Sequence, residues 1–382
     1  MAQSYFAQVS PGLEEVLRAE LKRLGARKLS TVEGGVSFQG TRKHLYRVLL
    51  KSRIASRVYW SIAEGGAPNS KALFERVIRA PWTTLFTPSD EPLRLAIRVS
   101  LSGQTVFQGT GEVEALVLAG IERALRSQRE VCSAEWSDPT LGIERVLVRL
   151  HGGRVTIRLD AAGELLHRRG WREVEGQAPL RPTLAAAMLE LLQWDEVEPL
   201  IDPMCGAGTI PIEAARIASG RSPRLWRHYA CTRWGNFDEA AWETELSEGD
   251  LSRVTAPFHA HIFASDLSPE AIASTQQHLT TAHEMVNVNV SDVSDLAPPA
   301  GAPGLLLVNP PYGLRVKEGN GLKRLLNRFA QDHRWAGWRL GLIYPRQLTP
   351  PMTMGLVATE LARFQHGGLP VWVWRYTRLE AD

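Results

Sequence analysis

The chain has 382 residues, of which 44% are hydrophobic and 22% are charged, as expected for a globular protein of two or three domains. No apolar run reaches the roughly 18 residues of a membrane-spanning helix, and the N-terminus lacks the basic and apolar segments of a secretory signal. The three cysteines, Cys132, Cys205 and Cys231, have no disulfide or metal-binding spacing. We therefore expect a protein without metal, without membrane contact, and in the reducing cytoplasm.

The charge is unevenly distributed. Residues 1–176 contain 26 Lys and Arg against 19 Asp and Glu, whereas the remainder contains 18 against 22. Most of the basic residues in the front part are arginines, including Arg168, Arg169 and Arg172. Because guanidinium groups bind phosphates bidentately and stack on bases, this bias indicates a nucleic-acid partner. The alternative is a surface enriched in arginine because the gene is rich in G and C.

Elements in residues 1–165 mix strands and helices without the alternation of βαβ units. A helix is predicted from Leu13 to Leu24, with Ser10 as its N-cap. Further along the chain, the patterns predict a half-buried strand Leu93–Val99 with its arginines outward, a helix Gly111–Gln128, and a hairpin of Val146–Leu150 with Val155–Leu159.

From about residue 177, strands and helices alternate, which predicts a parallel sheet with crossover helices. The predicted elements are helix Leu184–Gln193, strand Pro199–Asp202, helix Thr209–Ser219, strand His261–Asp266, helix Pro269–His278, strands Val286–Val290 and Gly304–Asn309, helix Leu322–Asp332, and strands Arg339–Tyr344 and Val371–Arg375. Residues 220–258, rich in Trp and Arg, form an insertion longer than an ordinary connection.

The segment Asp202-Pro-Met-Cys-Gly-Ala-Gly-Thr209 joins an apolar strand to an apolar helix. Gly206 and Gly208 let the backbone approach a ligand closely, and the helix that follows offers free N–H groups to an anion. The Gly-Lys-Ser/Thr ending of a phosphate loop and the third glycine of a dinucleotide fingerprint are both missing. A carboxylate ligand fits this loop better than a triphosphate, and Asp202 can accept hydrogen bonds from an ammonium group. A plain turn is the alternative.

The segment Asn309-Pro-Pro-Tyr-Gly313 follows the apolar run Leu305–Val308. The Asn309 side-chain oxygen and the Pro310 carbonyl can accept hydrogen bonds from an exocyclic amine, while Tyr312 stacks on the ring that carries it. Because Asn-Pro and Pro-Pro are also ordinary turn dipeptides, this segment alone leaves a turn equally open.

Two further acidic residues follow predicted strands. Asp266 ends the second strand of the series, where a carboxylate commonly accepts from ribose hydroxyls, and Asp292 follows the third, where it can accept from an adenine amine. Each one alone could be a helix cap or a surface acid. Together with Asp202 and Asn309 they place four polar side chains at the carboxyl ends of four consecutive strands.

The two segments together resemble the signatures of class I S-adenosylmethionine-dependent amino-methyltransferases. With GELLHRRGWR and APLRPTLAAAML before them and RWGNFDEAAW between them, the sequence is similar to RNA guanine-N2 methyltransferases that contain a THUMP domain. The resemblance is closest to the 23S ribosomal RNA enzymes, with the tRNA enzymes next. It implies a ferredoxin-like region at 1–55, a THUMP RNA-binding domain at 56–165, and a Rossmann-like methyltransferase domain with a seven-stranded, mostly parallel sheet at 166–382.

The resemblance also implies roles for individual residues and a monomer that binds structured RNA. The expected catalytic residues are Asn309, Pro310, Pro311 and Tyr312. The expected S-adenosylmethionine-binding residues are Asp202, Met204, Cys205, Gly206, Gly208, Thr209, Asp266, Leu267, Asp292, Val293 and Asn309. The expected RNA-binding residues are Arg168, Arg169, Arg172 and Arg315.

The sequence departs from the family pattern at Gln276-Gln277-His278, where an asparagine is expected, and at Leu314, where a glutamate is common. Three other functions stay open: methylation of tRNA guanine, methylation of a DNA adenine or protein glutamine amine, and RNA binding without catalysis.

Overall fold

The computed structural model describes residues 3–138, 140, 142–171, 180–223, 228–250, 261–282, 286–311, 319–348, 351–366 and 368–379. Within these residues the strands form two sheets that follow one another along the chain, one of eight strands and one of seven.

The first sheet is built from residues 3–160 in the spatial order β2-β3-β1-β4-β8-β7-β5-β6. Its strands are β1 Gln3–Gln8, β2 Arg27–Val32, β3 Gly35–Gly40, β4 Arg57–Gly66, β5 Leu93–Ser102, β6 Val131–Ser133, β7 Glu144–His151 and β8 Arg154–Asp160. Its helices are α1 Glu14–Arg23, α2 Arg42–Lys51, α3 Ser70–Ile78, α4 Trp82–Leu85 and α5 Thr110–Leu125. Because β4 pairs with β8, the strands of residues 3–66 and those of residues 93–160 form one continuous sheet.

Two predictions for this region need correction. Ser10 is not the N-cap of the first helix, which begins at Glu14 after Leu13 without a side-chain cap. Residues 93–151 also contain a βαβ arrangement that the pattern did not indicate, since β5 pairs in parallel with both β6 and β7 across α5. The predicted hairpin is confirmed, with β7 and β8 antiparallel from Val146 to Arg154.

The second sheet has the order β11-β10-β9-β12-β13-β15-β14. Its strands are β9 Leu200–Asp202, β10 Ile262–Asp266, β11 Asn287–Val290, β12 Leu305–Val308, β13 Arg339–Pro345, β14 Leu356–His366 and β15 Leu369–Arg378. The helices of this part are α6 Pro182–Leu191, α7 Thr209–Ala218, α8 Glu239–Asp250, α9 Pro269–Ala282 and α10 Gly319–Gln331. The strands from β11 to β13 are parallel, and β15 and β14 are antiparallel, which confirms the predicted α/β fold.

The sequence analysis missed β14. This strand forms the edge of the sheet, and a register shift against β15 between Glu360 and Ala362 interrupts its alternation of buried and exposed residues. The neighbouring β15 was predicted from the sequence Val371–Arg375, and its apolar residues Val371 and Val373 are buried.

Described residues of the predicted insertion pack against the front part of the chain. The Trp242 ring lies edge-on to Tyr46 of α2, with ring centroids 5.3 Å apart. Glu245 of α8 is buried and accepts hydrogen bonds from Arg47 of α2 at 2.7 and 2.8 Å. The insertion therefore bridges the two sheets, and one large buried cluster runs from the first sheet through α6 to α7.

Candidate active site

The four polar side chains that follow β9 to β12 lie at one edge of the second sheet. In the parallel register Asp202 is paired with Ala264, so Asp266 lies two residues beyond it, and Asp266 in turn is paired with Val290. Asn309 follows β12 directly. The strand order reverses between β9 and β12, and this is where ligands bind in open α/β sheets.

The glycine loop runs from Asp202 to Gly208, between β9 and α7. Gly206 and Gly208 have φ angles of +53° and +78°, in the left-handed region that favours glycine. A Cβ added at Gly206 would meet no atom within 4 Å, whereas one at Gly208 would lie 2.7 Å from Cγ2 of Thr275 in α9. The loop therefore has an open side at Gly206 and a closed side packed on α9.

Hydrogen bonds hold this loop to the neighbouring strand. The Gly206 N–H donates to Oδ2 of Asp266 at 2.9 Å, and the Cys205 N–H donates to the Ser265 carbonyl at 3.0 Å. The other Asp266 oxygen accepts from the Ser268 N–H at 3.0 Å. Asp266 thus connects the glycine loop to the end of β10, and its carboxylate oxygens have further lone pairs available for hydroxyl donors.

Asp202 is buried at the end of β9, where Oδ1 accepts a hydrogen bond from the Met204 N–H at 3.2 Å. Burial, together with the nearby negative charge of Asp266, raises the pKa of this carboxyl to about 8 against the opposing effect of the Met204 hydrogen bond. Among the residues that the structure describes, no lysine or arginine forms an ion pair with Asp202. A cationic ligand group beside the open glycine loop would supply the missing charge, and these residues therefore fit the methionine part of S-adenosylmethionine.

Asp292 and its neighbours lie at the end of β11. Its Oδ1 accepts from the Ser294 N–H at 2.7 Å, which lowers the pKa of Asp292 and caps the short 3-10 turn Val293–Asp295. Val293 is buried, whereas Leu267 beside Asp266 is 68% exposed. Asp292 is therefore a turn cap, as the simpler interpretation proposed, and it retains acceptor positions toward the same edge.

Cys205 is buried in the glycine loop, and Thr209 is buried in the first turn of α7. The Cys205 Sγ lies 3.8 Å from Oγ1 of Thr275, and burial raises the pKa of the thiol well above its ordinary range. Because the thiolate is the nucleophilic form, Cys205 is unsuited to covalent catalysis.

The Asn-Pro-Pro-Tyr-Gly segment is described in part. Asn309 is half-buried, Pro310 is buried and Pro311 is exposed. Tyr312 and Arg315 lie outside the described residues.

Arg169, predicted to contact RNA, is instead buried between the two parts of the chain. Its side chain bonds to Glu213 of α7, with 3.0 Å between Nε and Oε1, and to the Arg53 carbonyl at 2.6 Å. Since the guanidinium is enclosed by protein, the structure contradicts the RNA-contact prediction for this residue. Arg168 is exposed, and Arg172 lies outside the described residues.

A cavity of about 480 Å³ lies where the first sheet meets α6. Its exposed basic side chains come from separate segments, and they are Arg98, Arg168, Arg181 and Arg233. The Arg98 guanidinium is stacked 4.5 Å from the centre of the Trp136 ring. The sequence analysis missed this cavity, although the excess of arginine in the front half was its signal.

Within the described part of the chain, no three His, Cys, Asp or Glu side chains are grouped as metal ligands. No helix in the same residues is long and apolar enough to cross a membrane.

Comparison with protein families identifies two regions of the chain. Residues 169–341 match the RMKL-like methyltransferase domain, and residues 4–59 match the RlmL ferredoxin-like domain. Residues 169–341 therefore form a methyltransferase domain, and residues 4–59 form a ferredoxin-like domain of the RlmL type. Its methyl donor is S-adenosylmethionine, and the expected family resemblance is confirmed.

Solved structures share the fold of this chain along nearly its whole length. A predicted N6-adenine-specific DNA methylase from Listeria monocytogenes is 24% identical, with 98% of this chain and 96% of that chain covered and a TM-score of 0.80. SMU.472, crystallised in complex with SAH, is 19% identical over 100% and 99% of the chains, with a TM-score of 0.78. TrmN from Thermus thermophilus is 19% identical over 99% and 100%, with a TM-score of 0.69.

Proposed function

We propose that this methyltransferase transfers a methyl group to the exocyclic N2 amine of a guanosine in structured RNA, with 23S ribosomal RNA as the first candidate target. The observation that carries the proposal is the position of Asn309 and Pro310 at the end of β12, next to the glycine loop that follows β9. The RlmL ferredoxin-like domain and the basic front half support RNA as the substrate class.

The cofactor-binding roles follow the sheet edge. Asp202 would accept hydrogen bonds from the ammonium group of the donor, and the open side of the loop at Gly206 would admit its amino-acid part. Asp266 would accept from the ribose hydroxyls, and Asp292 from the adenine amine. The exposed Leu267 side chain would cover one face of the adenine ring. Met204, Cys205, Gly208, Thr209 and Val293 would shape the rest of this site.

S-adenosylmethionine supplies an electrophilic methyl group on a sulfonium. The amine that attacks it is a weak nucleophile, because its lone pair is delocalised into the guanine ring. The Asn309 Oδ1 and the Pro310 carbonyl would accept hydrogen bonds from its two protons, which raises the electron density on nitrogen and aims the lone pair. Pro311 keeps the backbone rigid, and Tyr312 would stack on the base. Positioning of this kind supplies much of the rate enhancement.

The cavity where the first sheet meets α6, which we call the junction cavity, supports RNA binding at a second surface. Its arginines present guanidinium groups suited to phosphates, and the Trp136 ring offers a stacking face next to Arg98. We propose that residues 56–165 are a THUMP domain, and that this domain and Arg168 hold the RNA while residues 166–382 carry out the transfer.

The Asn309→Ala variant tests the proposed chemistry. We expect it to lose methyl transfer by a factor of at least about 10², since an acceptor that orients the reacting group is removed, while S-adenosylhomocysteine still binds in calorimetry. Asn287→Ala is a matched control, because Asn287 is exposed at the opposite edge of the same sheet. Near-normal turnover of Asn309→Ala would overturn the proposed role of the segment.

The substrate is tested by offering ribosomal RNA, tRNA and genomic DNA separately with labelled S-adenosylmethionine, followed by mass spectrometry of the nucleosides. N2-methylguanosine from ribosomal RNA supports the proposal. The same product from tRNA alone would identify tRNA as the target. N6-methyladenine from DNA would refute the proposal.

A further inference from the structure

Helix α9 carries two buried polar side chains that bind consecutive carbonyls of the glycine loop. The Thr275 hydroxyl donates to the Gly206 carbonyl at 2.8 Å, and Nδ1 of His278 lies 3.1 Å from the Ala207 carbonyl. Thr275 and His278 are three residues apart, so they lie on one face of the helix. Both are almost fully enclosed, with exposures of 0% and 1%.

The direction of the His278 hydrogen bond follows from its acceptor. A carbonyl only accepts, so Nδ1 carries the proton. The other ring nitrogen, Nε2, is buried without a hydrogen-bond partner among the described residues. The ring also packs edge-on against Trp171, with ring centroids 5.6 Å apart. His278 therefore has two contacts that could explain its burial, one with the loop and one with Trp171.

The two hydrogen bonds fix the orientation of two consecutive peptides of the loop, the second of which also donates its Gly208 N–H to the Cys205 carbonyl at 2.8 Å. The C=O and N–H of a trans peptide point in opposite directions. Holding the Gly206 carbonyl against α9 therefore aims the Ala207 N–H away from α9, toward the open side of the loop. Gly206 and Gly208 both have left-handed φ angles, and as glycines they carry no side chains that would otherwise restrict these peptides.

We propose that Thr275 and His278 are positioning residues for the methyl donor. They hold the Gly206–Ala207–Gly208 backbone in the one orientation that receives the amino-acid part of S-adenosylmethionine, and so they set the affinity for the donor. This inference rests on the proposed cofactor site at the glycine loop. It also gives His278 a function at the position where the sequence departs from the asparagine of the family pattern.

Substitutions of His278 separate the hydrogen bond from the ring contact. His278→Asn places an amide nitrogen at the same number of bonds from the backbone as Nδ1, so it can still donate to the Ala207 carbonyl. His278→Gln places the amide one bond farther, at the level of Nε2, and His278→Leu has no donor. None of the three keeps the aromatic contact with Trp171.

We expect His278→Gln and His278→Leu to bind S-adenosylhomocysteine about three- to tenfold more weakly, as for the loss of one hydrogen bond. His278→Asn should stay close to the unsubstituted protein. Thr275 provides an independent pair, since Thr275→Ser keeps the hydroxyl, whereas Thr275→Val keeps the methyl group near Gly208 and loses the donor. At saturating donor, kcat should change little, so the effect lies in KM.

Amide hydrogen exchange over residues 202–212 in the cofactor-free protein gives a readout that does not depend on activity. Exchange in this segment should be faster in His278→Leu and Thr275→Val, and unchanged in His278→Asn and Thr275→Ser.

Equal weakening in His278→Asn and His278→Leu would overturn the proposal for His278, because it would identify ring packing as the cause. Unchanged affinity in Thr275→Val would overturn it for Thr275. If His278→Leu does not fold in a thermal scan, the Asn and Gln variants decide. Failure of the unsubstituted protein to bind S-adenosylhomocysteine would instead refute the cofactor site on which the inference rests.

Discussion

Asp202 should make donor binding depend on pH. Burial holds the pKa of its carboxyl at about 8 in the free protein, so the group is mostly protonated at neutral pH. A carboxyl of that pKa is about 1% ionised at pH 6 and about 10% at pH 7. If Asp202 pairs with the ammonium of the donor, binding must release its proton, and affinity should rise about tenfold over that interval.

The rise should level off above about pH 8, because Asp202 is then mostly ionised in the free protein and binding no longer has to release its proton. Calorimetric titration with S-adenosylhomocysteine in buffers of different ionisation enthalpy measures the protons released. We expect close to one proton per molecule bound at pH 6. S-adenosylmethionine should behave alike, since both molecules carry the ammonium group.

Asp202→Asn should abolish this slope. Asp292→Asn is the matched control, because Asp292 also follows a strand of the same edge but its pKa is lowered, by the Ser294 N–H. That variant should lose only the affinity that its own contact contributes, and its slope between pH 6 and pH 7 should persist. A flat affinity and no proton release in the unsubstituted protein would refute the pairing of Asp202 with a cation.

The same carboxyl should affect folding stability in the absence of donor. Its folded pKa is raised above the ordinary aspartate value of about 3.9, so the native state holds the proton longer than the unfolded state. Stability should therefore fall as the pH rises from about 4 to about 8. This loss in the free energy of unfolding is at most on the order of 5 kcal/mol. In urea unfolding, the stability of Asp202→Asn should depend less on pH over that interval than the stability of the unsubstituted protein.

Two further predictions concern other parts of the molecule. Burial alone would raise the pKa of Glu245, but Arg47, Lys51 and Lys43 outweigh burial and lower it. The ionised Glu245 therefore stabilises the fold at pH values above the ordinary glutamate pKa, and this stabilisation is lost as the pH falls through the lowered pKa. Urea unfolding at pH 7 should show Glu245→Gln destabilised by about 1–3 kcal/mol, and the difference should shrink in acid; a loss as large in the exposed control Glu243→Gln would contradict this. Arg98→Gln and Trp136→Leu should weaken RNA binding measured by fluorescence anisotropy. The arginine change should also lower the slope of log affinity against log salt by about 1. An equal loss of affinity in Arg123→Gln, an exposed arginine of α5 outside the cavity, would argue against a specific RNA-binding surface.

Much of the catalytic half could be predicted from local patterns. Short apolar runs followed by Asp202, Asp266 and Asn309 predicted both the parallel strands and the residues at their carboxyl ends, because strand period and turn chemistry are properties of neighbouring residues. The glycines of the loop were informative for the same reason, since a left-handed φ is a local requirement. The register that brings these strand ends together is confirmed.

The remaining features depend on contacts between distant segments. Arg169 and Arg168 are adjacent in sequence, yet one is buried against Glu213 and the other is exposed at the junction cavity. Only the packing of α7 against the front part of the chain distinguishes them. The edge strand β14 escaped prediction because a register shift against β15, between Glu360 and Ala362, breaks the alternation along its sequence.

The sequence by itself determined the α/β class and the two motif loops, and it predicted a flat amine next to an amino-acid-binding turn. The tertiary structure decided which arginines face a common cavity, that Asp202 is buried with no ion-paired lysine or arginine among the described residues, and that Thr275 and His278 hold the glycine loop. Thr275 and His278 lie 69 and 71 residues from the carbonyls they bind, so these contacts arise only when distant segments pack together, and no local pattern in the chain encodes them.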